Sequence, residues 1–259
     1  VKLSQVAVQS YTIRDSFNNP QNITSSLKKL KTIGYDAIQI SFGANEWMPI
    51  TELKNRLDAE GMVCCATHDS GELILNRTEE LVEKLQKLDC QQIAYPYPAG
   101  VKLDTREDVE KLAAALNKAG QVLAQAGITL TYHNHALEFR HYDGPTMLEI
   151  IYEKTDPRYV QGEIDTYWVQ AGGADPAEWC NRLKNRLPLL HIKDYVINQE
   201  NKPVFAEIGY GNLNFRRIID AADQAGCRWF IVEQDVCPGD PFDSLAKSYN
   251  YIKERLCTP

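Results

Sequence analysis

Apolar residues recur along this chain with two alternating periods. Short runs carry an apolar residue at every second position. Between them lie longer stretches with apolar residues three and four apart, the spacings of strands and of amphipathic helices. The short runs predict eight strands: residues 6–11 (VAVQSY), 36–41 (DAIQIS), 62–68 (MVCCATH), 92–95 (QIAY), 128–133 (ITLTYH), 160–165 (VQGEID), 188–194 (PLLHIKD) and 228–235 (RWFIVEQD). Stretches such as NITSSLKKLKTIG, TREDVEKLAAALNKAGQVLAQAG and NFRRIIDAADQAG read as helices. Several end in a glycine (Gly34, Gly61, Gly127, Gly226) that marks a C-terminal stop. Eight strand-then-helix units with no linker or low-complexity tract predict an α/β fold, a single (β/α)8 TIM barrel forming one domain over residues 1–259. A doubly wound sheet would carry a glycine-rich phosphate loop after its first strand, and QSYTIRDSFNNP has none.

Barrel strands alternate between the helical shell and the barrel interior, so each strand sorts its own side chains. In ITLTYHNH the apolar set Ile128, Leu130 and Tyr132 faces outward, which turns His133 and His135 inward. The same parity sends Gln9 and Tyr11, His68, Gln161, Glu163 and Asp165, His191 and Lys193, and Glu233 and Asp235 to the inside. These polar residues cluster at the C-terminal ends of their strands, the face on which barrel active sites are built. Taken singly, a carboxylate there is more often a helix cap or loop anchor, and a histidine a hydrogen-bonded neighbour. Convergence changes the reading. Glu138, Asp165, His191 and Glu233 come from four successive strand ends with one inward cation, Lys193. Three carboxylates gathered there repel one another, and a bound divalent ion offsets the repulsion.

Composition narrows the class. The chain has 35 acidic and 28 basic residues, a formal charge of -7, so a nucleic-acid partner is not expected. No apolar run approaches bilayer length and VKLSQVAVQS lacks a signal-peptide core, so no membrane association and a cytoplasmic location are expected. The seven cysteines form no C-x-x-C pair and read as buried small hydrophobes rather than disulfides. The loop EIGYGNLNF sets Gly209 and Gly211 ahead of a helix, as barrel phosphate sites do. Its nearby cations Arg216 and Arg217 fall within the helix, which favours a tight turn over a phosphate site.

In order, VQSYTIRD, YHNHALEF, DTYW, HIKD, IGYGNLNF and VEQD cover nearly the whole chain, and together they resemble the xylose-isomerase-like TIM-barrel superfamily. That group includes sugar phosphate isomerases/epimerases, ketose 3-epimerases, 2-keto-myo-inositol dehydratase and endonuclease IV. The resemblance implies one divalent ion, manganese first and magnesium, cobalt or zinc otherwise, held by Glu138, Asp165, His191 and Glu233. An epimerase would carry its first glutamate at the position of His133, so Glu163 or His133 could replace Glu138 as the fourth ligand. Tyr167 and Trp168 stand where epimerases carry a substrate-binding histidine, so their sugar rules do not transfer.

The activity implied is metal-dependent sugar isomerisation or epimerisation by proton abstraction alpha to a carbonyl, through an enediolate. Glu138 and Glu233 are the expected ligands that double as proton-transfer groups, with His135 as acid/base partner. Lys193 would stabilise an oxyanion, or else pair with Asp235 or Glu163. Gln9, Arg14, His68, His133 and Trp168 are expected to line a pocket for a free or oxidised small-molecule carbohydrate. The alternative is a lyase or dehydratase on a keto-sugar, keto-inositol or keto-glycoside, where a β-leaving group departs. A non-catalytic binding module or an endonuclease IV-like nuclease ranks lower, the latter because five histidines are a poor supply for a three-zinc cluster. The reading leaves a homo-oligomer open.

Overall fold

The structure is a computed structural model that describes residues 1–43 and 47–257. Among the described residues, ten strands run in chain order: β1 (Val6–Gln9), β2 (Ala37–Gly43), β3 (Val63–Asp69), β4 (Gln92–Tyr95), β5 (Thr129–His133), β6 (Val160–Asp165), β7 (Leu189–Ile192), β8 (Asp194–Ile197), β9 (Pro203–Ala206) and β10 (Trp229–Val232). Eight of them close a barrel in the order β1-β10-β7-β6-β5-β4-β3-β2. All its pairs are parallel, and Val6 opposite Phe230 completes the ring. The expected (β/α)8 barrel is therefore the observed fold.

The surrounding helices are α1 (Pro20–Ile33), α2 (Ile50–Ala59), α3 (Gly71–Asn76), α4 (Thr78–Leu88), α5 (Arg106–Gln125), α6 (Met147–Lys154), α7 (Thr166–Ala171), α8 (Pro176–Arg182), α9 (Phe215–Gln224) and α10 (Pro241–Tyr251). Their starts reflect local chemistry. Asn19 caps α1 ahead of a proline, and reciprocal capping boxes open α5 (Thr105 with Asp108) and α6 (Thr146 with Glu149). The four stop glycines all take positive φ, as the C-terminal turn requires.

Strand parity divides the core in two. Val8, Ile38, Ile40, Ile93, Leu130, Ile164, Leu190 and Phe230 join the large cluster between strands and helices. Ala7, Ala37, Cys65, Ala66, Leu189 and Ile231 form a separate small cluster inside the barrel. Further along the same inward faces the side chains turn polar: Gln9, Gln39, Glu163 and His191 are fully buried. A barrel interior that changes from small apolar residues to buried ionisable ones needs internal partners for every polar atom. Those partners form the site.

The alternation pattern extends the seventh strand to residue 194 and assigns no further strand before the next helix. Instead the chain makes an antiparallel hairpin, β8 with β9, beyond the end of β7. Asp194 anchors it by accepting the amides of Gly209, Gly211 and Leu213. The amide nest of the glycine loop is thus filled by a carboxylate of the chain itself, which agrees with the tight-turn reading of that loop. Among the described residues, no helix is long and apolar enough to cross a membrane.

Candidate active site

The C-terminal mouth of the barrel holds a cavity of about 400 Å³ lined by His68, His133, His135, Trp168, Lys193 and Glu233, with Tyr11, Arg14, Tyr97 and Asp235 at its rim. Two larger clefts, about 740 and 770 Å³, lie among helices of the outer shell and contain no histidine. We place the site by chemistry rather than by size, at the barrel mouth.

Beneath the cavity, three imidazoles surround one buried carboxylate. Glu163 Oε2 lies 2.5 Å from His68 Nε2 and 3.2 Å from His133 Nδ1, and Glu163 Oε1 lies 3.5 Å from His191 Nε2. The His68 and His191 rings are parallel with centroids 5.3 Å apart, and the His133 ring stands 4.6 Å from His191. Gln39 links this group to the first strand. Its Nε2 donates to Glu163 at 2.6 Å, while its Oε1 accepts from Gln9 at 2.8 Å and faces His191 Nε2 at 2.6 Å. An amide oxygen cannot donate, so His191 must present an N–H there. On its other edge, His191 Nδ1 meets Glu233 at 2.9 Å. Burial opposes a charge on this ring, but Glu163 and Glu233 outweigh it and raise His191 to about 10. Burial likewise opposes ionisation of Glu163, yet the His191 and His68 charges hold its carboxyl well below the usual range.

The second group sits on the opposite side of His191. Lys193 is only 1% exposed, and its ammonium lies 3.1 Å from Asp165, 2.8 Å from Glu233 and 3.0 Å from Asp235. Despite burial, these carboxylates raise the lysine pKa. Glu233 is held well below the carboxylate range, because Lys193 and His191 overcome the cost of burying it. Asp165 goes the other way, pushed up to about 6 by burial that Lys193 and His191 only partly offset. One Asp165 oxygen also caps α7 by accepting the Trp168 amide at 3.0 Å.

Most of the expected residues meet at this mouth. Asp165, His191, Glu233 and Lys193 converge, and His68, His133, His135, Arg14 and Trp168 line the cavity. Glu138 does not join them. It is the third residue of a short 3-10 turn, where its oxygens accept the His135 amide at 2.7 Å and the Tyr132 hydroxyl at 2.9 Å. Glu138 is in neither group of side chains that could hold an ion, whereas Glu163, the alternative fourth ligand, is turned inward by strand parity and belongs to one of them. Gln9 needs a second correction: it is fully buried below the cavity and supports Gln39 rather than lining the pocket. Lys193 pairs with Asp235 as one expectation had it, and with Asp165 and Glu233 besides. Sequence reasoning missed Gln39, although a glutamine between Ile38 and Ile40 is a polar break in an apolar strand and was its visible signal.

Among the described residues, two sets of side chains bring ligand atoms within 4.8 Å of one another: His68, His133, Glu163 and His191, and Asp165, His191 and Glu233. The donors fit a divalent cation. His133 Nδ1 and Asp165 Oδ2 are buried without a hydrogen-bond partner among the described residues, although each has an ion-pair neighbour near 3 Å. Mixed nitrogen and oxygen donors suit the first-row divalent metals.

The chain matches the family model described as "Xylose isomerase-like TIM barrel" over residues 27–255. It belongs to that family. An inosose dehydratase of Geobacillus thermodenitrificans is 30% identical over 167 residues, 58% of this chain and 55% of that protein. One from Lacticaseibacillus casei is 26% identical over 172 residues, 60% of this chain and 57% of that protein. The chain thus spans little more than half the length of these relatives. Among solved structures, a sugar phosphate isomerase/epimerase from Parabacteroides distasonis superposes with a TM-score of 0.81 at 23% identity, covering 97% of this chain and 94% of that one. An L-ribulose 3-epimerase gives 0.75 at 15% identity, covering 96% and 93%. At these identities the structures speak for the fold alone.

Proposed function

We propose that the protein, acting as a single barrel domain, is a divalent-metal-dependent isomerase or epimerase that moves a proton alpha to the carbonyl of a free or oxidised sugar. The observation that carries this reading is the placement of Glu233. It faces the cavity while held ionised between Lys193 at 2.8 Å and His191 at 2.9 Å. An anionic carboxylate beside a buried ammonium can accept an α-proton while the ammonium stabilises charge developing on the adjacent oxygen. A divalent ion held through His191, when bound, would polarise the carbonyl and stabilise the enediolate.

His135 is the acid/base partner. Burial, with the Lys193 charge, lowers it to about 4, so it is neutral at pH 7 and can accept a proton. Trp168 supplies an apolar wall for a sugar face. The amide nest of the Gly209 and Gly211 loop already holds the Asp194 carboxylate, which favours an unphosphorylated substrate.

A second reading shares the first step. If the enediolate expels a β-hydroxyl, the reaction is a dehydration, and the relatives named inosose dehydratase favour this outcome. Incubating the metal-loaded enzyme with ketoses and with a keto-inositol in D2O separates the two. Isomerisation or epimerisation gives deuterium at the α-carbon of a product of unchanged composition, whereas dehydration gives an unsaturated ketone absorbing in the ultraviolet. Glu233→Gln should slow either by about 100-fold or more. Exchange that survives undiminished in that variant overturns the reading.

A further inference from the structure

We infer that the metal centre of this chain is imidazole-rich: His68, His133 and His191, with Glu163, bind one divalent cation that prefers nitrogen donors. The inference rests on the proposed function only in expecting an ion, and it fixes which side of His191 the ion takes.

Three of the five histidines of the chain come from β3, β5 and β7, three different strands, to reach one fully buried glutamate. A single carboxylate cannot use three ring nitrogens equally. His133 Nδ1 shows the consequence, since it lies 3.2 Å from Glu163, is buried, and makes no hydrogen bond among the described residues. A buried ring nitrogen held only by a long contact to a carboxylate it shares with two other rings is poorly satisfied, and a cation could take its lone pair. A cation between the rings would displace the proton that His191 Nε2 presents to Gln39 and any proton His68 presents to Glu163, and would then take all three lone pairs and the carboxylate at once. Three imidazoles and a carboxylate complete a four-coordinate set, and because His68 and His133 also line the cavity, a further position is open to substrate.

The opposite side of His191 lacks this need. There Asp165 and Glu233 already share the Lys193 ammonium, which contacts both at 3.1 and 2.8 Å and is itself buried. A second cation on those same oxygens would sit against a fixed positive charge. On the imidazole side, besides the protons a metal would release, the Gln39 amide is the neutral group among the described residues that stands in the way. Gln39 Oε1, 2.6 Å from His191 Nε2, must turn aside, and its amide keeps Glu163 as a partner. The donor set then favours zinc, cobalt, nickel or iron over magnesium and manganese, which prefer oxygen.

Metal content of protein loaded separately with zinc, cobalt and manganese tests this directly. X-ray absorption of the wild-type zinc form should count three imidazoles, a readout that needs no variant to fold. His68→Gln and His133→Gln should each weaken zinc by more than about 100-fold, the upper end of what losing a mere supporting residue costs. Asp165→Asn should retain zinc. One imidazole in the absorption spectrum, retention of zinc by both histidine variants, its loss only in Asp165→Asn, or manganese binding more tightly than zinc would each overturn the assignment. Failure of solvent exchange with every sugar tried would remove the proposed function and leave these metal measurements unaffected.

Discussion

Lys193 Nζ stands 2.8 Å from Glu233 Oε2, the shortest of three carboxylate contacts made by an ammonium that is almost wholly withdrawn from water. Neither partner would stay charged in that interior alone. Each stabilises the charge of the other, so the pair behaves as one unit and the first prediction concerns its disruption.

Lys193→Met keeps the volume and removes the charge. It leaves Asp165 and Glu233 buried with no ammonium between them, and breaking a buried pair in this way costs about 3–5 kcal/mol. Urea unfolding at pH 7.5 measures it. Adding Asp165→Asn to the Lys193→Met variant should recover part of the loss, since one uncompensated charge is gone. A single variant as stable as wild type would mean that the lysine compensates nothing.

Glu138 makes a prediction about pH. Burial pushes its carboxyl up to about 7 from 4.5, against the pull of the His135 amide and the Tyr132 hydroxyl. Between those values the folded chain holds a proton that the unfolded chain has released. Stability must then fall as pH rises across the window, level off above about 7, and be greatest on the acid side. The shift is worth on the order of 3 kcal/mol at 1.36 kcal/mol per pKa unit. Other groups titrate here too, so the quantity to measure is the stability of wild type minus that of Glu138→Gln. It should decrease between pH 4.5 and 7.5, and a constant difference would show that this carboxyl is not perturbed.

The aromatic wall gives a kinetic prediction. Trp168 borders the cavity with its ring centroid 5.3 Å from that of His135 and 4.7 Å from that of Tyr167. It packs beside His135 and the Lys193 ammonium but carries no acid or base of its own, so its main contribution should be the same in the bound substrate and the transition state. Trp168→Ala should therefore raise KM by about tenfold, near 1.4 kcal/mol of lost contact, and change kcat much less. Trp168→Phe should recover most of the affinity. A fall in kcat with KM unchanged would place the indole in the chemistry itself.

How far the sequence is legible depends on where the physics is local. Alternation within a strand is local, so the bounds of β4 and β6 match the pattern to the residue, and Glu163, Asp165, His191 and Glu233 share the interior that parity assigns them. The hairpin of β8 and β9 is invisible because DYVI and PVFA are short, and Pro203 and the polar NQENK between them read as loop. Glu138 misleads for the opposite reason. Its place three residues after His135 is a capping position, but beside YHNH a glutamate invites a ligand reading that ignores the Tyr132 hydroxyl. Parity turns Glu163 inward, yet that three histidines converge on it depends on barrel closure, which brings β3 and β7 to a glutamate on β6.

The last prediction sets helix propensity against close approach. Gly120 lies inside α5, where replacing glycine with alanine ordinarily gains about 0.5–1 kcal/mol. Here a Cβ would fall 2.2 Å from the Tyr159 carbonyl oxygen and 2.8 Å from its carbon, and backbone cannot rotate out of the way as a side chain can. Either α5 or the chain entering β6 must move. Gly120→Ala should therefore destabilise by about 1–3 kcal/mol, as overpacking does, reversing the sign that propensity alone would give. Tyr159 directly precedes β6, the strand that carries Glu163 and Asp165, so a shift there travels along a rigid element to the site. We expect zinc affinity to fall together with the unfolding midpoint. A stabilised variant with unchanged zinc affinity would show that the helix and strand have more room between them than their contact distance implies.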